Sequence, residues 1–357
     1  MPAATENWFG EQSTVVLVVL AVIAMAVVIK GADWLVEGAA GVAQHLGMPE
    51  VVVGATIVSL GTTSPEAAVS VLAAFSGDAG LAIGNGVGSI IADTGLIFGL
   101  GCLMTRLPAD RFVLSRQGWV QFGSAVLLAL ICYGLWFFQG SAATIPRVVG
   151  ILFAGLLVGY LLISIKWAKT HPSGEPHLLA EADGSALADH QPSTAGHGLG
   201  VLVGIGLAGL ILVIASGDVL VGSVTIVAER WNVPDAVIAS TIVALGTSLP
   251  ELVTGLTAIR KGHPELLVGN VIGADILNVL FVIGVSALAA PLPLIDPTAQ
   301  LPAIILLVMI PTMLIMLAFM RLCIFGATAK GYFSRWMGIP LVAMYLAYLV
   351  VSYAVSV

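Results

Sequence analysis

VVVGATIVSLGTTSPEAAVSVLAAF, residues 51–75, is an apolar segment interrupted at its centre by Gly61-Thr62-Thr63-Ser64-Pro65-Glu66. A second segment, AVIASTIVALGTSLPELVTGLTAI, residues 236–259, carries Gly246-Thr247-Ser248-Leu249-Pro250-Glu251 in the same place. At an offset of 185, Pro49 falls on Pro234, Glu66 on Glu251 and Asn85 on Asn270 without a gap. Ten of the eighteen positions from Pro49 to Glu66 are identical to their counterparts. A register held over about fifty residues marks an internal duplication.

The chain around this repeat has the composition of a membrane protein. Of 357 residues, 59% are hydrophobic and 9% charged, against about 25% charged in an average soluble domain. Apolar runs of about 18 residues or more recur along the chain, each long enough to cross a hydrocarbon layer about 30 Å thick as a helix. Continuous runs such as Val15 to Ile29 contradict the alternating pattern of a membrane β-barrel. A net charge of −7 with scattered Lys and Arg offers no surface for nucleic acid. Cys102, Cys132 and Cys323 form no CxxC pair, so neither a disulfide framework nor a zinc site is indicated. The start, with Glu6 and Glu11 and no base before the first apolar run, lacks the positive end of a cleaved signal peptide.

Ten spans are expected, at about 15–36, 51–75, 80–104, 118–138, 146–166, 199–226, 236–259, 265–289, 300–320 and 338–356. With the N-terminus outside, the inner loops hold Arg106, Arg111, Arg116, Lys166, Lys169, Arg260, Lys261, Arg321, Lys330 and Arg335, and the outer loops only Arg147 and Arg230. Lys30 near the inner end of the first span agrees, so both termini are placed outside. Five spans is an odd number, so the second copy enters from the opposite side. The expected fold is therefore all-α and integral to the membrane, with ten transmembrane helices as two inverted five-helix repeats. Residues 1–167 form the first repeat and 199–357 the second, with the duplicated cores at about 49–101 and 234–286. Residues 168–198, rich in His, Pro, Ser and acidic residues, read as a cytoplasmic linker. Inverted repeats characterise secondary transporters, which bind substrate near the midplane between the copies.

The duplicated hexapeptide points to the cargo. Proline within a helix removes a donor, so Pro65 leaves the carbonyl of Gly61 without its partner and Pro250 that of Gly246. Helical spacing puts Thr62 and Glu66 on one face, and Thr247 and Glu251 likewise. Hydroxyl, freed carbonyl and carboxylate then converge as an all-oxygen set suited to hard cations. A carboxylate at the bilayer centre costs about 2.5–3.5 kcal/mol and marks an ion path or proton relay. A proline serving only as a packing kink explains neither the carboxylate nor the duplication. Further along lie Asn85, Ser89 and Asp93, matched by Asn270, Ala274 and Asn278, with Asp275 one residue off that face. Asn85 and Asn270 suit helix stitching as well as ligation. No base lies at matching depth to neutralise Asp93.

These two motifs resemble the paired α-repeats of the calcium/cation antiporter superfamily, especially prokaryotic sodium/calcium exchangers. The resemblance covers nearly the whole chain. It implies that Glu66 and Glu251 bind Ca2+, with Thr62, Thr63, Thr247 and Ser248 helping to hold Na+ or Ca2+. It implies that the carbonyls of Ser59 and Ala244 complete the cage, and that the first and sixth helices slide against the bundle. It implies transported Ca2+ and Na+, no cofactor, no enzymatic activity and a place in the inner membrane of a prokaryotic cell. Asp33 and Asp218, 185 apart on those two helices, read as interfacial.

The departures bear on coupling. Many relatives carry Asn in the first repeat and Asp in the second at the positions of Asp93 and Asn278, the reverse of the order here. Three carboxylates, Glu66, Glu251 and Asp93, nevertheless remain. Ala274 replaces a common Ser ligand, alongside Ser89 in the other repeat, and Asp275 replaces a common Asn. Asp275 fits an accessory ligand, a proton carrier or a bond to a neighbouring helix, so proton-coupled exchange is the competing reading. An intramembrane aspartyl protease fails because the GxGD signature is missing around Asp93 and Asp275. A passive channel fits less well than alternating access through one central cage.

Overall fold

The computed structural model describes residues 8–170, 197–231, 246, 248–295 and 303–356. Helix α1 (Thr14–Leu46) starts at Ser13, whose hydroxyl accepts the Val16 N–H, and ends at Gly47 in the left-handed conformation, φ 62°. Next come α2 (Glu50–Thr62) and α3 (Ser64–Phe75), bent by 42° at Thr63. Helix α4 (Ala79–Met104) is capped by Asp78, which accepts the Leu81 N–H at 2.8 Å. After β1 (Leu107–Pro108) follow α5 (Arg111–Gln139), β2 (Thr144–Ile145) and α6 (Arg147–Thr170). The second half contains α7 (Leu199–Arg230), α8 (Leu249–Arg260), α9 (Pro264–Ala289) and β3 (Leu292–Pro293). It ends with α10 (Ile305–Lys330), β4 (Tyr332–Phe333) and α11 (Gly338–Ser356).

Eight of these helices are long and apolar enough to span a membrane, and the bent α2–α3 pair makes a ninth. The seventh expected span, at about 236–259, ends in α8, while residues 232–245 lie outside the described set. So do residues 171–196, most of the expected linker. Among the described residues the chain is mostly helical with up to nine candidate membrane spans, consistent with ten spans in two inverted five-helix repeats. The duplication extends to the element boundaries: α3 and α8, α4 and α9, and the starts of α1 and α7 are each 185 residues apart. Two short ladders tie the halves together. Leu107 pairs with Phe333 and Thr144 with Pro293. With ten alternating crossings, the partners of each ladder fall on the same membrane face, as pairing requires.

Burial separates two layers. Over their most apolar eighteen residues, α4 and α9 are 72% and 83% buried, whereas α1 and α7 are 28% and 22%. Helices α1 and α7 lie against each other backbone to backbone: a Cβ at Gly38 would stand 2.5 Å from the Gly206 nitrogen, and one at Gly209 2.4 Å from that of Leu35. Arg230 fastens the pair at one end, donating to the Gly10 and Gln12 carbonyls at 2.8 and 2.7 Å. At the other end Lys261 Nζ, just beyond α8, reaches Glu37 Oε1 at 2.6 Å and Asp33 Oδ1 at 3.7 Å on α1. Asp33 thus takes part in a contact between α1 and the end of α8.

Candidate functional site: a buried all-oxygen cluster

The duplicated proline breaks the second span where the sequence places it. Pro65 sits in the first turn of α3, and the chain turns at Thr63, whose N–H bonds the Ser59 carbonyl at 2.8 Å. Pro250 occupies the same position in α8, with Ser248 before the first turn. Each following Glu therefore stands in the first turn of a half-helix, where the positive end of the helix dipole favours a carboxylate.

These half-helices meet across the two repeats. Thr63 Oγ1 donates to Glu251 Oε1 at 3.3 Å, Ser248 Oγ to Ser89 Oγ at 3.4 Å, and Thr62 Oγ1 to Asn270 Oδ1 at 3.3 Å. Glu66, Glu251 and Asp93 lie within electrostatic range of one another, and each is 1% exposed. Six buried acceptors in this region have no donor among the described residues: both oxygens of Glu66, both of Asp93, Glu251 Oε2 and Asn278 Oδ1. Arg321, buried within α10, instead donates to the Leu114 and Ser115 carbonyls at 3.3 Å and stacks on Trp119 and Phe325. Buried carboxylates without donors require a cation or a proton. No three acidic, His or Cys side chains among the described residues form a metal cluster unaided.

The remaining expected residues divide three ways. Ser59 is fully buried, its hydroxyl donating to the Thr56 carbonyl at 3.4 Å and its own carbonyl already accepting from Thr63. Thr247 and Ala244 lie outside the described residues. Asp275 is tied to helices beside the cluster: its Oδ2 accepts from Thr94 Oγ1 and from Gln121 Nε2, each at 2.6 Å. Asn85 serves as a stitch, donating to the Glu66 carbonyl at 3.2 Å and to Ser70 Oγ at 3.0 Å.

Three features escape sequence reasoning. Asp93 and Asn278 each open a wider π-helical turn, Asp93–Phe98 and Asn278–Ile283, again 185 residues apart, and such turns recur at functional sites. A third, Gly54–Val58, lies in α2, and Tyr160 Oη donates to its Ala55 carbonyl at 3.0 Å. Helix α9 crosses that turn through Gly269 and Gly273; a Cβ at Gly269 would fall 2.1 Å from the Val51 oxygen. Gln121 was visible as a polar residue in an apolar span, but its partner was not.

The family profile described as "Sodium/calcium exchanger protein" matches residues 16–166 and 201–354. The chain is 31% identical over 351 residues to the sodium/calcium exchanger MaX1 of Methanosarcina acetivorans, covering 91% of this chain and 95% of that one. It is 33% identical over 281 residues to the inner membrane protein YrbG of Escherichia coli, covering 78% and 82%. Its fold is similar to a solved structure of the sodium-calcium exchanger NCX_Mj, with TM-score 0.75, 24% identity and coverage of 95% of this chain and 99% of that one. With both halves matched and the paired proline half-helices in place, this chain is a transporter belonging to the sodium/calcium exchanger family.

Proposed function

We propose that the protein exchanges Ca2+ for Na+ by alternating access through a midplane site formed by Glu66, Glu251 and Asp93. The observation that carries this reading is the set of six buried acceptor oxygens without donors, drawn from both repeats. Calcium takes six to eight oxygens, and carboxylates with hydroxyl, amide and carbonyl oxygens form the appropriate donor set. Asn278, Thr62, Thr63, Thr247, Ser248 and Ser89 complete the set, with the carbonyls of Ser59 and Ala244. Sodium competes for the same oxygens, so binding of one ion expels the other. The glycine-packed α1–α7 pair, peripheral to the buried α4–α9 core, is the element that slides to open one face and then the other.

The spans divide into repeats at 1–167 and 199–357, joined by a cytoplasmic linker at 168–198. Both termini lie outside, with the Lys- and Arg-rich loops within, in the inner membrane of a prokaryotic cell. Proteoliposomes holding the protein take up Ca2+ when an outward Na+ gradient is imposed, and Glu66→Gln or Glu251→Gln abolishes uptake. Calcium flux indifferent to sodium defeats the sodium reading. Ala274 in place of a hydroxyl, with the extra carboxylate of Asp275, favours protons as the second reading. A flux driven by a pH gradient in sodium-free buffer distinguishes it.

A further inference from the structure

Asp275 is 1% exposed, and its Oδ1 has no partner. Its Oδ2 takes a hydrogen bond from Thr94 on α4 and another from Gln121 on α5. Both neighbours donate to that one oxygen, an arrangement that an ionised carboxylate accepts. Thr94 directly follows Asp93, so the anchored Asp275 carboxylate lies beside the cluster. The counterpart of Asp275 at the offset of 185 is Ile90, a fully buried hydrocarbon, so only one repeat carries charge here. Among the described residues no Lys, Arg or His forms an ion pair with it.

We propose that Asp275 is a specificity-determining residue that touches no transported ion: held aside by Thr94 and Gln121, its charge selects divalent over monovalent cations in the neighbouring cluster. This rests on the exchanger reading above. The interaction of a fixed charge with an ion is proportional to the ion's charge. Whatever factor Asp275 contributes to Na+ affinity, it therefore contributes the square of that factor to Ca2+ affinity. For a separation on the order of 10 Å and an effective dielectric of about 20, the factors come to roughly 16-fold for Na+ and roughly 270-fold for Ca2+. A residue that only braces helices changes both affinities alike.

The test is Ca2+ titration of the purified full chain, with Na+ affinity measured by competition, for Asp275→Asn and separately for Gln121→Lys. The first removes the charge and keeps an acceptor for Thr94 and Gln121. The second leaves the carboxylate and cancels its charge, so the proposal remains testable if one variant does not fold. Both should weaken Na+ binding by some factor and Ca2+ binding by about its square. Equal losses for the two ions, or no change in either, overturn the proposal. Loss of all Ca2+ binding with Na+ binding intact overturns it too, by making Asp275 a direct ligand. A wild-type protein that binds neither ion removes the exchanger reading, and this proposal with it.

Discussion

Replacing Gly273 by alanine places a methyl group where α9 crosses α2. The added Cβ would stand 2.5 Å from the Ala55 Cα, from the Ala55 oxygen and from Ser59 Oγ, whereas ordinary contact begins at 3.4 Å. Two of these atoms are backbone, so side-chain rotation does not relieve the overlap and α9 must retreat by about 1 Å. Alanine is a better helix former than glycine by about 1 kcal/mol, which offsets part of an overpacking cost of about 1–3 kcal/mol. The protein should therefore still insert and fold. Asn278 is carried on the same helix, and a displacement of about 1 Å at a working site typically costs about 100-fold. Sodium-driven Ca2+ uptake into proteoliposomes, at matched protein density, should fall by about that factor. Gly155→Ala is the control, because Gly155 lies exposed on α6 with no described atom within 4 Å of an added Cβ. Wild-type uptake by Gly273→Ala would refute the reasoning, since the crossing would then not set the position of the site.

Other perturbations probe the supports of the site. Lys261→Met removes the contact from α8 to Glu37 and Asp33 on α1; the partly exposed pair is worth about 0.2–1 kcal/mol, so the ratio of inward- to outward-open protein should shift at most about fivefold. Cysteine accessibility on the two faces measures that ratio. Tyr160→Phe leaves the Ala55 carbonyl without its hydroxyl partner and should lower stability by about 0.6–1 kcal/mol in a denaturant titration. His263 Nδ1 lies 2.9 Å from Glu50 Oε1. Burial pulls the imidazole's pKa down, but the Glu50 bond and the carboxylates of Glu50 and Glu265 outweigh it, and the net shift is upward. That tie is fully present below the ordinary histidine value and is lost as pH rises through the raised one. Thermal unfolding should accordingly show wild type above His263→Gln in mildly acidic buffer and level with it in alkaline buffer.

Much of this protein was legible in one dimension because the bilayer imposes simple rules. A span must be apolar, a duplicated motif with matched spacing must occupy matched depth, and an odd number of spans inverts the second copy. Hence the ten spans, the inverted halves and the proline breaks at Pro65 and Pro250 were readable from sequence, as was the exceptional burial of Glu66, Glu251 and Asp93. Contacts between the copies were not. That Thr63 reaches Glu251 rather than Glu66, that Asn85 stitches while Asp275 is claimed by Gln121, and that π-helical turns begin at Asp93 and Asn278 all depend on how helices cross. Spacing along one helix fixes only which residues share a face. Which face meets which partner is set by close backbone approach at residues such as Gly38, Gly209 and Gly273, a property of the packed bundle.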